Sequence, residues 1–170
     1  LPGVHDNVYE LDFSSLFPSI IATRNISPET VNCTCCSPST ADRWIEPLPL
    51  SSEHAAAEIC TRRSQHEGMV VPELGYHTCM RRHGFLGRVV SPIIAMRSEL
   101  KKRVETKGDP WDRRQNALKW LLVTCFGYTG YRNARFGRIE CHEAICSWSR
   151  DILLEAKSVA EEEGWGCLHA

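Results

Sequence analysis

The sequence predicts an α+β fold in which short strands pack with helices and two of the helices form an antiparallel hairpin. Three observations support this prediction: a β-prone run at residues 8–13, two helix-start signals at residues 91–92 and 109–110, and apolar residues at helical spacing between residues 141 and 163. A chain of 170 residues is long enough to bury a hydrophobic core, as one domain or as two small lobes.

The first strand is predicted over residues 8–13, which are bounded by Asn7 and by the Ser14-Ser15 pair. A helical turn follows from Ser14 and carries Pro18 early, where proline is tolerated. Asp12 ends the apolar run, and an isolated carboxylate in a core costs several kcal/mol unless it is paired or binds a metal. Asp12 therefore either closes an Asx-turn or binds a cation.

The helical hairpin is predicted from two consecutive start signals. Ser91 as N-cap and Pro92 at the first helical position begin a helix that runs to Lys107 and ends at a glycine. Asp109-Pro110 repeats the signal, and the second helix runs to about Phe126. The short turn between the two helices predicts antiparallel packing.

The remaining segments differ in character. Residues 37–68 are rich in proline and serine and have no sustained period, which predicts an insertion with a short helix over residues 52–63. Residues 141–163 predict a third helix with a core-facing stripe, and residues 165–168 predict the start of another strand. The stripe comprises Ile145, Trp148, Ile152 and Ala156.

The charge is unevenly distributed along the chain. Residues 81–119 hold eleven Lys and Arg against four Asp and Glu, a net charge of +7, whereas the rest carries −8 and the whole chain −1. This segment predicts either a local phosphate-handling surface or a solvated helix face. Because no run of eighteen apolar residues and no signal-peptide order occurs, we expect a soluble protein that is not exported and has no membrane partner.

Three cations of the hairpin are candidate phosphate ligands. Arg97 and Lys101 are four residues apart and share one face of the first helix, and Lys119 lies on the second helix, where antiparallel packing can bring it alongside. They are either unrelated surface charges or a set that binds one triphosphate, whose oxygens a metal at Asp12 would neutralise from the other side. The second arrangement is typical of phosphoryl transfer.

Two motifs resemble those of the family B DNA polymerases, in particular the archaeal members. Residues 12–20, DFSSLFPSI, are similar to the motif DxxSLYPSI, with Phe17 in place of Tyr, and residues 25–30 resemble the segment that follows it in archaeal enzymes. Residues 119–127, KWLLVTCFG, are similar to the motif KxxxNSxYG and keep its Lys and Gly. The resemblance implies a partial palm with an antiparallel sheet and packed helices, plus a fingers hairpin. It assigns residues 1–36 to the first part of the palm, 37–80 to an insertion that contains cysteines, 81–127 to the fingers and 128–170 to the second, incomplete part of the palm.

The resemblance also implies roles for individual residues. Asp12 would be a catalytic carboxylate that binds Mg2+ together with the Phe13 carbonyl, in a two-metal site. The amides of Ser15 and Leu16 would contact the triphosphate, and Phe17 would lie under the sugar and exclude a 2′-hydroxyl. The triphosphate itself would be bound by Arg97, Lys101 and Lys119.

Three departures from the family pattern qualify these roles. The Asn and Tyr of the fingers motif are Val123 and Phe126 here, so two polar groups near the nascent base pair are missing. The sequence stops where the YGDTD motif, the source of the second carboxylate, should begin. We therefore expect a fragment that does not polymerise DNA alone and that needs the rest of the polymerase chain.

The cysteine-rich segment allows three interpretations. Cys33, Cys36, His77 and Cys79 have plausible chemistry for a structural Zn2+ site. The archaeal resemblance instead implies a Cys36–Cys79 disulfide, and closing that 43-residue separation would add roughly 4 kcal/mol. Unbonded thiols are the third interpretation.

The sequence thus favours part of a DNA-directed DNA polymerase that adds deoxynucleotides to a primer 3′ end. Its partners would be primer-template DNA and deoxynucleoside triphosphates, in the cytoplasm of an archaeal or bacterial cell. The alternative is a non-catalytic DNA-binding or structural paralogue of such an enzyme.

Overall fold

A computed structural model describes residues 3–39, 66–107 and 109–168. Four helices are found there: α1 (Leu16–Thr23), α2 (Phe85–Lys107), α3 (Asp109–Thr129) and α4 (Ile139–Glu162). Three strands form one sheet in the order β1 (Cys36–Ser39), β2 (His66–Val70) and β3 (His77–Thr78). The predicted α+β class is confirmed. Within the described residues, no helix combines the length and the apolar composition that crossing a membrane requires.

The sheet is mixed. β2 and β3 are antiparallel, with Met69 opposite Thr78, whereas β1 and β2 are parallel, with Cys36 opposite His66. The predicted helix over residues 52–63 lies outside the described residues.

The hydrophobic core surrounds α1, which packs against α2, α3 and α4. Each of these helices contributes buried side chains, and the loop after α1 and strand β2 complete the set. The core consists of Ile20, Ile21, Ile26, Val31, Met69, Val71, Leu86, Val90, Leu122, Cys141, Ala144, Ile145 and Trp148. The predicted core stripe of the last helix is therefore correct at Ile145 and Trp148, and Ile152 packs partly buried against the core, but the prediction is wrong at Ala156, which is exposed.

The hairpin prediction is confirmed. α2 and α3 are separated by a single residue and pack along each other. The Arg97 side chain contacts Gln115, and the Arg103 guanidinium lies 5.2 Å from the centre of the Trp111 ring. Both contacts join positions nearly symmetric about the turn, as antiparallel packing requires.

The two predicted terminal strands do not form. Residues 8–13 are exposed and lie outside any strand, as do residues 165–168. β-propensity reflects how well side chains pack in a sheet, so a β-prone sequence alone does not form a strand. In the described part of the chain, no neighbouring strand pairs with either segment. The two segments nevertheless meet, because the Tyr9 and Trp165 rings pack edge to face at 5.6 Å.

Helix α2 begins at Phe85, not at the predicted Ser91, and Pro92 lies inside it. The first amides of the helix are bound by side chains distant in sequence. The Gly84 amide donates to Asn25 Oδ1 (2.7 Å), the Phe85 amide to Glu29 Oε1 (2.5 Å) and the Leu86 amide to Ser27 Oγ (3.3 Å). Three donors that would otherwise lack partners are satisfied, so the helix starts early. The segment 25–29 therefore caps α2.

We expect Glu29→Gln to lower the free energy of unfolding by about 1 kcal/mol at neutral pH, because a charged acceptor is lost from this cap. Burial opposes ionisation, but hydrogen bonds from Ser27 Oγ and the Phe85 amide hold the pKa of Glu29 below its ordinary value of 4.5. The carboxylate stabilises the fold fully above pH 4.5, and this contribution is lost as the pH falls through the lower pKa of the folded state.

Urea unfolding of both proteins between pH 3 and pH 7 would measure this difference. Glu99→Gln is the control, since Glu99 is exposed and pairs only with Lys102 on the same helix. Equal stability of the wild type and Glu29→Gln at every pH would contradict the proposed cap.

Candidate functional site

The site is built around the turn that opens α1. Ser15 has a φ of 56°, in the left-handed region that non-glycine residues seldom adopt, and its carbonyl accepts the Ser19 amide at 2.9 Å to begin the helix. Asp12 and Phe13 precede this turn in an exposed segment that belongs to no helix or strand. The turn thus presents two serine hydroxyls to α2, directly after the carboxylate.

Arg97 and Lys101 of α2 both reach this turn. Arg97, which is only 8% exposed, donates from Nη1 to Ser15 Oγ and from Nε to Gln115 Oε1 at 3.3 Å. Lys101 Nζ donates to Ser14 Oγ at 3.4 Å. Within the described residues no carboxylate forms an ion pair with Arg97, so its partners there are neutral. The buried guanidinium therefore remains a strong site for an anion.

Gln115 is a site residue that the sequence analysis missed. Its Nε2 donates to Asp112 Oδ1 at 2.8 Å, which fixes the amide so that Oε1 faces Arg97. Glutamine on a charged helix has no distinguishing sequence signal. Its position four residues before Lys119, about one helical turn, was the available sequence signal.

Lys119 shares a face of α3 with Gln115 and Phe126, judged by helical spacing. It is exposed, and it falls between Gln115, which contacts Arg97, and Phe126, which contacts Phe17. Gln115, Lys119, Leu122 and Phe126 follow the spacing of one helix face, and Leu122 is buried in the core. In the described part of the chain no hydrogen bond or ion pair joins Lys119 or Asp12 to the Arg97 group, so their convergence there remains a prediction.

Phe17 belongs to a three-ring stack that joins α1, α3 and α4. The Phe17 and Phe126 rings stack at 4.2 Å between centroids, and the Phe126 and His142 rings stack at 4.5 Å. His142 Nδ1 lies 3.3 Å from Thr129 Oγ1, which orients the last ring. The position of Phe17 is therefore set by both helices that pack against it.

The cysteine-rich segment brings together a different set from the one predicted. The thiols of Cys33, Cys35, Cys36 and Cys79 all lie within 4.8 Å of one another, and His77 is not in this group. His77 lies beside the set, with its Nε2 3.7 Å from Cys33 Sγ and 3.0 Å from the Cys33 carbonyl oxygen. The predicted proximity of Cys36 and Cys79 is observed, but their Sγ atoms are 3.6 Å apart, longer than a disulfide bond.

The two central thiols differ in acidity. Burial raises the pKa of Cys36 well above its ordinary value. Burial also acts to raise the pKa of Cys79, but hydrogen bonds outweigh it, foremost that from the Arg82 amide to Sγ at 3.3 Å, so the pKa is lowered. The hydrogen bonds at Cys79 Sγ thus favour a thiolate there.

The model of DNA polymerase family B matches residues 2–169 of this chain. DNA polymerase 2 of Saccharolobus solfataricus is 35% identical over 168 residues, which cover 99% of this chain and 20% of that protein. A Thermococcus DNA polymerase is 29% identical over 174 residues, which cover 99% of this chain and 19% of that protein. The family B DNA polymerase of Pyrobaculum calidifontis has a similar fold over 90% of this chain and 18% of its own, with a TM-score of 0.62 and 24% identity.

The chain therefore belongs to DNA polymerase family B, as its two motifs predicted. It spans about a fifth of the length of these curated relatives.

Proposed function

We propose that this chain is the nucleotide-binding part of a DNA-directed DNA polymerase, which adds deoxynucleotides to a primer 3′ end. The observation that carries this proposal is the buried Arg97 at the turn before α1, hydrogen-bonded to neutral groups and accompanied by Lys101. Family membership supports the assignment. A triphosphate is the ligand that would neutralise both cations at once.

The triphosphate would be bound from three sides. Arg97 and Lys101 would contact its oxygens from α2. Lys119 would do so from α3, because it shares a helix face with Gln115, which contacts Arg97, and with Phe126, which contacts Phe17. The amides of Ser15 and Leu16 would add hydrogen bonds, because the first amides of a helix lack partners within it. Such preorganised donors stabilise charge that develops on a transferred phosphoryl group.

Mg2+ fits the oxygen donors of this chain when phosphate oxygens of the substrate supply further ligands. Asp12 is exposed and belongs to no group of three or more acidic, His or Cys side chains in the described residues. Proteins commonly bind Mg2+ through one or two carboxylates together with substrate phosphates. Asp12 and the Phe13 carbonyl would hold the ion. When bound, it would neutralise phosphate charge in a two-metal site whose other carboxylate we expect outside this chain.

We assign residues 1–36 and 128–170 to the palm, 37–80 to an insertion and 81–127 to the fingers. The capping of α2 by residues 25–29 supports this division, because it fixes the base of the hairpin to the segment after α1. Primer-template DNA and the rest of the polymerase chain would be its partners, in the cytoplasm.

We expect the isolated chain to bind a deoxynucleoside triphosphate with Mg2+ present and to show no primer extension. Lys119→Ala should weaken binding about fivefold, the effect of one exposed charge contact of about 1 kcal/mol. Asp12→Ala should remove the Mg2+ dependence and leave much of the phosphate affinity. Isothermal titration calorimetry at low and high salt measures each affinity, since these contacts are screened by salt.

Arg113→Ala is the matched control for Lys119→Ala, because Arg113 is an exposed cation of α3 on a different face. Equal affinity of the wild type and Lys119→Ala would contradict the fingers assignment. Template-dependent extension by the isolated chain would contradict the incomplete active site. Retained DNA binding with no triphosphate binding would instead support the non-catalytic paralogue, for which the loss of polar groups at Val123 and Phe126 already argues.

A further inference from the structure

Four cysteine thiols meet at the point where the insertion joins the rest of the fold. Cys33 and Cys35 lie in the loop after α1, Cys36 begins β1 and Cys79 follows β3. Three of the thiols form a nearly equilateral triangle: the Sγ atoms of Cys35 and Cys36 are 3.8 Å apart, those of Cys35 and Cys79 3.8 Å, and those of Cys36 and Cys79 3.6 Å. Cys33 completes the set within 4.8 Å.

This geometry matches the coordination of a single tetrahedral ion. A Zn–S bond of about 2.3 Å gives a distance of about 3.8 Å between two sulfurs of a tetrahedral site. The three Sγ–Sγ distances of the triangle, 3.6 to 3.8 Å, match this value. We propose that Cys33, Cys35, Cys36 and Cys79 bind one Zn2+ ion in a tetrathiolate site.

The same distances argue against the other occupants. The four cysteines of an iron–sulfur cluster are divided between two or more iron atoms, so some of their sulfurs lie farther apart than the ligands of one ion. Here all four thiols lie within 4.8 Å of one another. A disulfide between Cys36 and Cys79 would leave the thiols of Cys33 and Cys35 unbonded within 4.8 Å of the bridge. His77 Nε2 lies 3.7 Å from Cys33 Sγ, but it is closer, at 3.0 Å, to the Cys33 carbonyl oxygen, and Cys35 supplies the fourth thiol of the set.

The surroundings suit a thiolate site. The Arg82 amide donates to Cys79 Sγ at 3.3 Å, the kind of outer hydrogen bond that orients metal ligands. Cys33, Cys35, Cys79 and Arg82 are among the residues that line a cavity of about 290 Å³, through which an ion can reach three of the four sulfurs.

The ion would fasten the insertion to the base of the hairpin. Asn25 Nδ2 donates to the Cys79 carbonyl at 2.5 Å and to the Arg82 carbonyl at 2.7 Å, and Asn25 Oδ1 accepts the Gly84 amide just before α2. The loop that carries Cys79 is thus held by the residue that also caps α2. Metal binding therefore stabilises the start of the fingers helix and does not depend on the chemistry proposed at Asp12.

Metal analysis of the expressed protein tests the site directly. We expect one Zn2+ per chain after dialysis, with an X-ray absorption spectrum at the zinc edge that fits four sulfurs at about 2.3 Å. Cys35→Ser should lose the stoichiometric metal, whereas His77→Ala should keep it. Cys146→Ser is the matched control, because Cys146 is an exposed thiol on α4.

Three results would overturn the proposal. A spectrum that fits three sulfurs and one nitrogen would place His77 in the site, and this measurement needs no variant to fold. A Cys36–Cys79 disulfide in the peptide map of protein purified without reductant would identify the bridge instead. A wild-type protein that retains no metal after incubation with Zn2+ and dialysis would leave the four thiols as packing groups.

Discussion

Replacing Arg97 with alanine is expected to weaken triphosphate binding about 10- to 100-fold, the effect of losing a hydrogen-bonded charged partner. Arg97 is buried, and its hydrogen bonds to Ser15 and Gln115 fix its guanidinium at the turn before α1. A fixed donor loses little side-chain entropy when it binds an anion, whereas a mobile surface cation loses more. Arg97→Ala should therefore weaken binding more than Lys119→Ala does.

Two further variants separate charge from geometry in this prediction. Arg97→Lys keeps the charge but loses the planar fork that contacts Ser15 and Gln115 together, so we expect an intermediate loss of affinity. Lys102→Ala is the matched control, because Lys102 is an exposed cation of the same helix that pairs with Glu99 at 2.9 Å. Calorimetry would contradict the assignment if Arg97→Ala and Lys102→Ala weakened binding equally, or if neither changed it.

The helices show which part of the fold was predictable. The starts of α3 and α4 lie within two residues of their predictions, because local signals decide them. The start of α2 is six residues early, since Asn25, Ser27 and Glu29 supply its caps from about 60 positions away. A cap supplied by residues distant in sequence cannot be predicted from local spacing. In addition, a Ser-Pro pair inside a helix has the same sequence pattern as a helix start.

The site shows the same division. Arg97 donates to the hydroxyl of Ser15, and Phe17 packs on Phe126 in the first turn of α1, while their contacts with phosphate and sugar stay predictions. Gln115 and His142 were missed, because each acts by holding another side chain and depends on packing between helices. Cys35 was missed for a different reason: C-x2-C spacing favours Cys33 with Cys36, whereas the turn before β1 brings three neighbouring thiols inward.

Phe17→Ala is expected to abolish discrimination between deoxynucleotides and ribonucleotides, raising the relative affinity for the ribonucleotide about 100-fold. The proposed task of Phe17 is steric, since its ring would occupy the space that a 2′-hydroxyl needs. Such a barrier works only if the ring cannot move aside. The stack on Phe126 at 4.2 Å, supported in turn by His142 at 4.5 Å, supplies that restraint.

Because other rings hold the Phe17 ring in place, we expect different substitutions in the stack to reduce the sugar discrimination to different degrees. Phe17→Tyr keeps the ring and should keep the discrimination, because exclusion does not need a phenol oxygen. Phe126→Ala removes the ring behind Phe17 and should cause a partial loss, since Phe17 can then move away from the sugar. Calorimetric affinities for dATP and ATP give the ratio for each protein. If Phe17→Ala left that ratio unchanged while binding both ligands, Phe17 would be a packing residue of the α1–α3 contact and the sugar would be selected elsewhere.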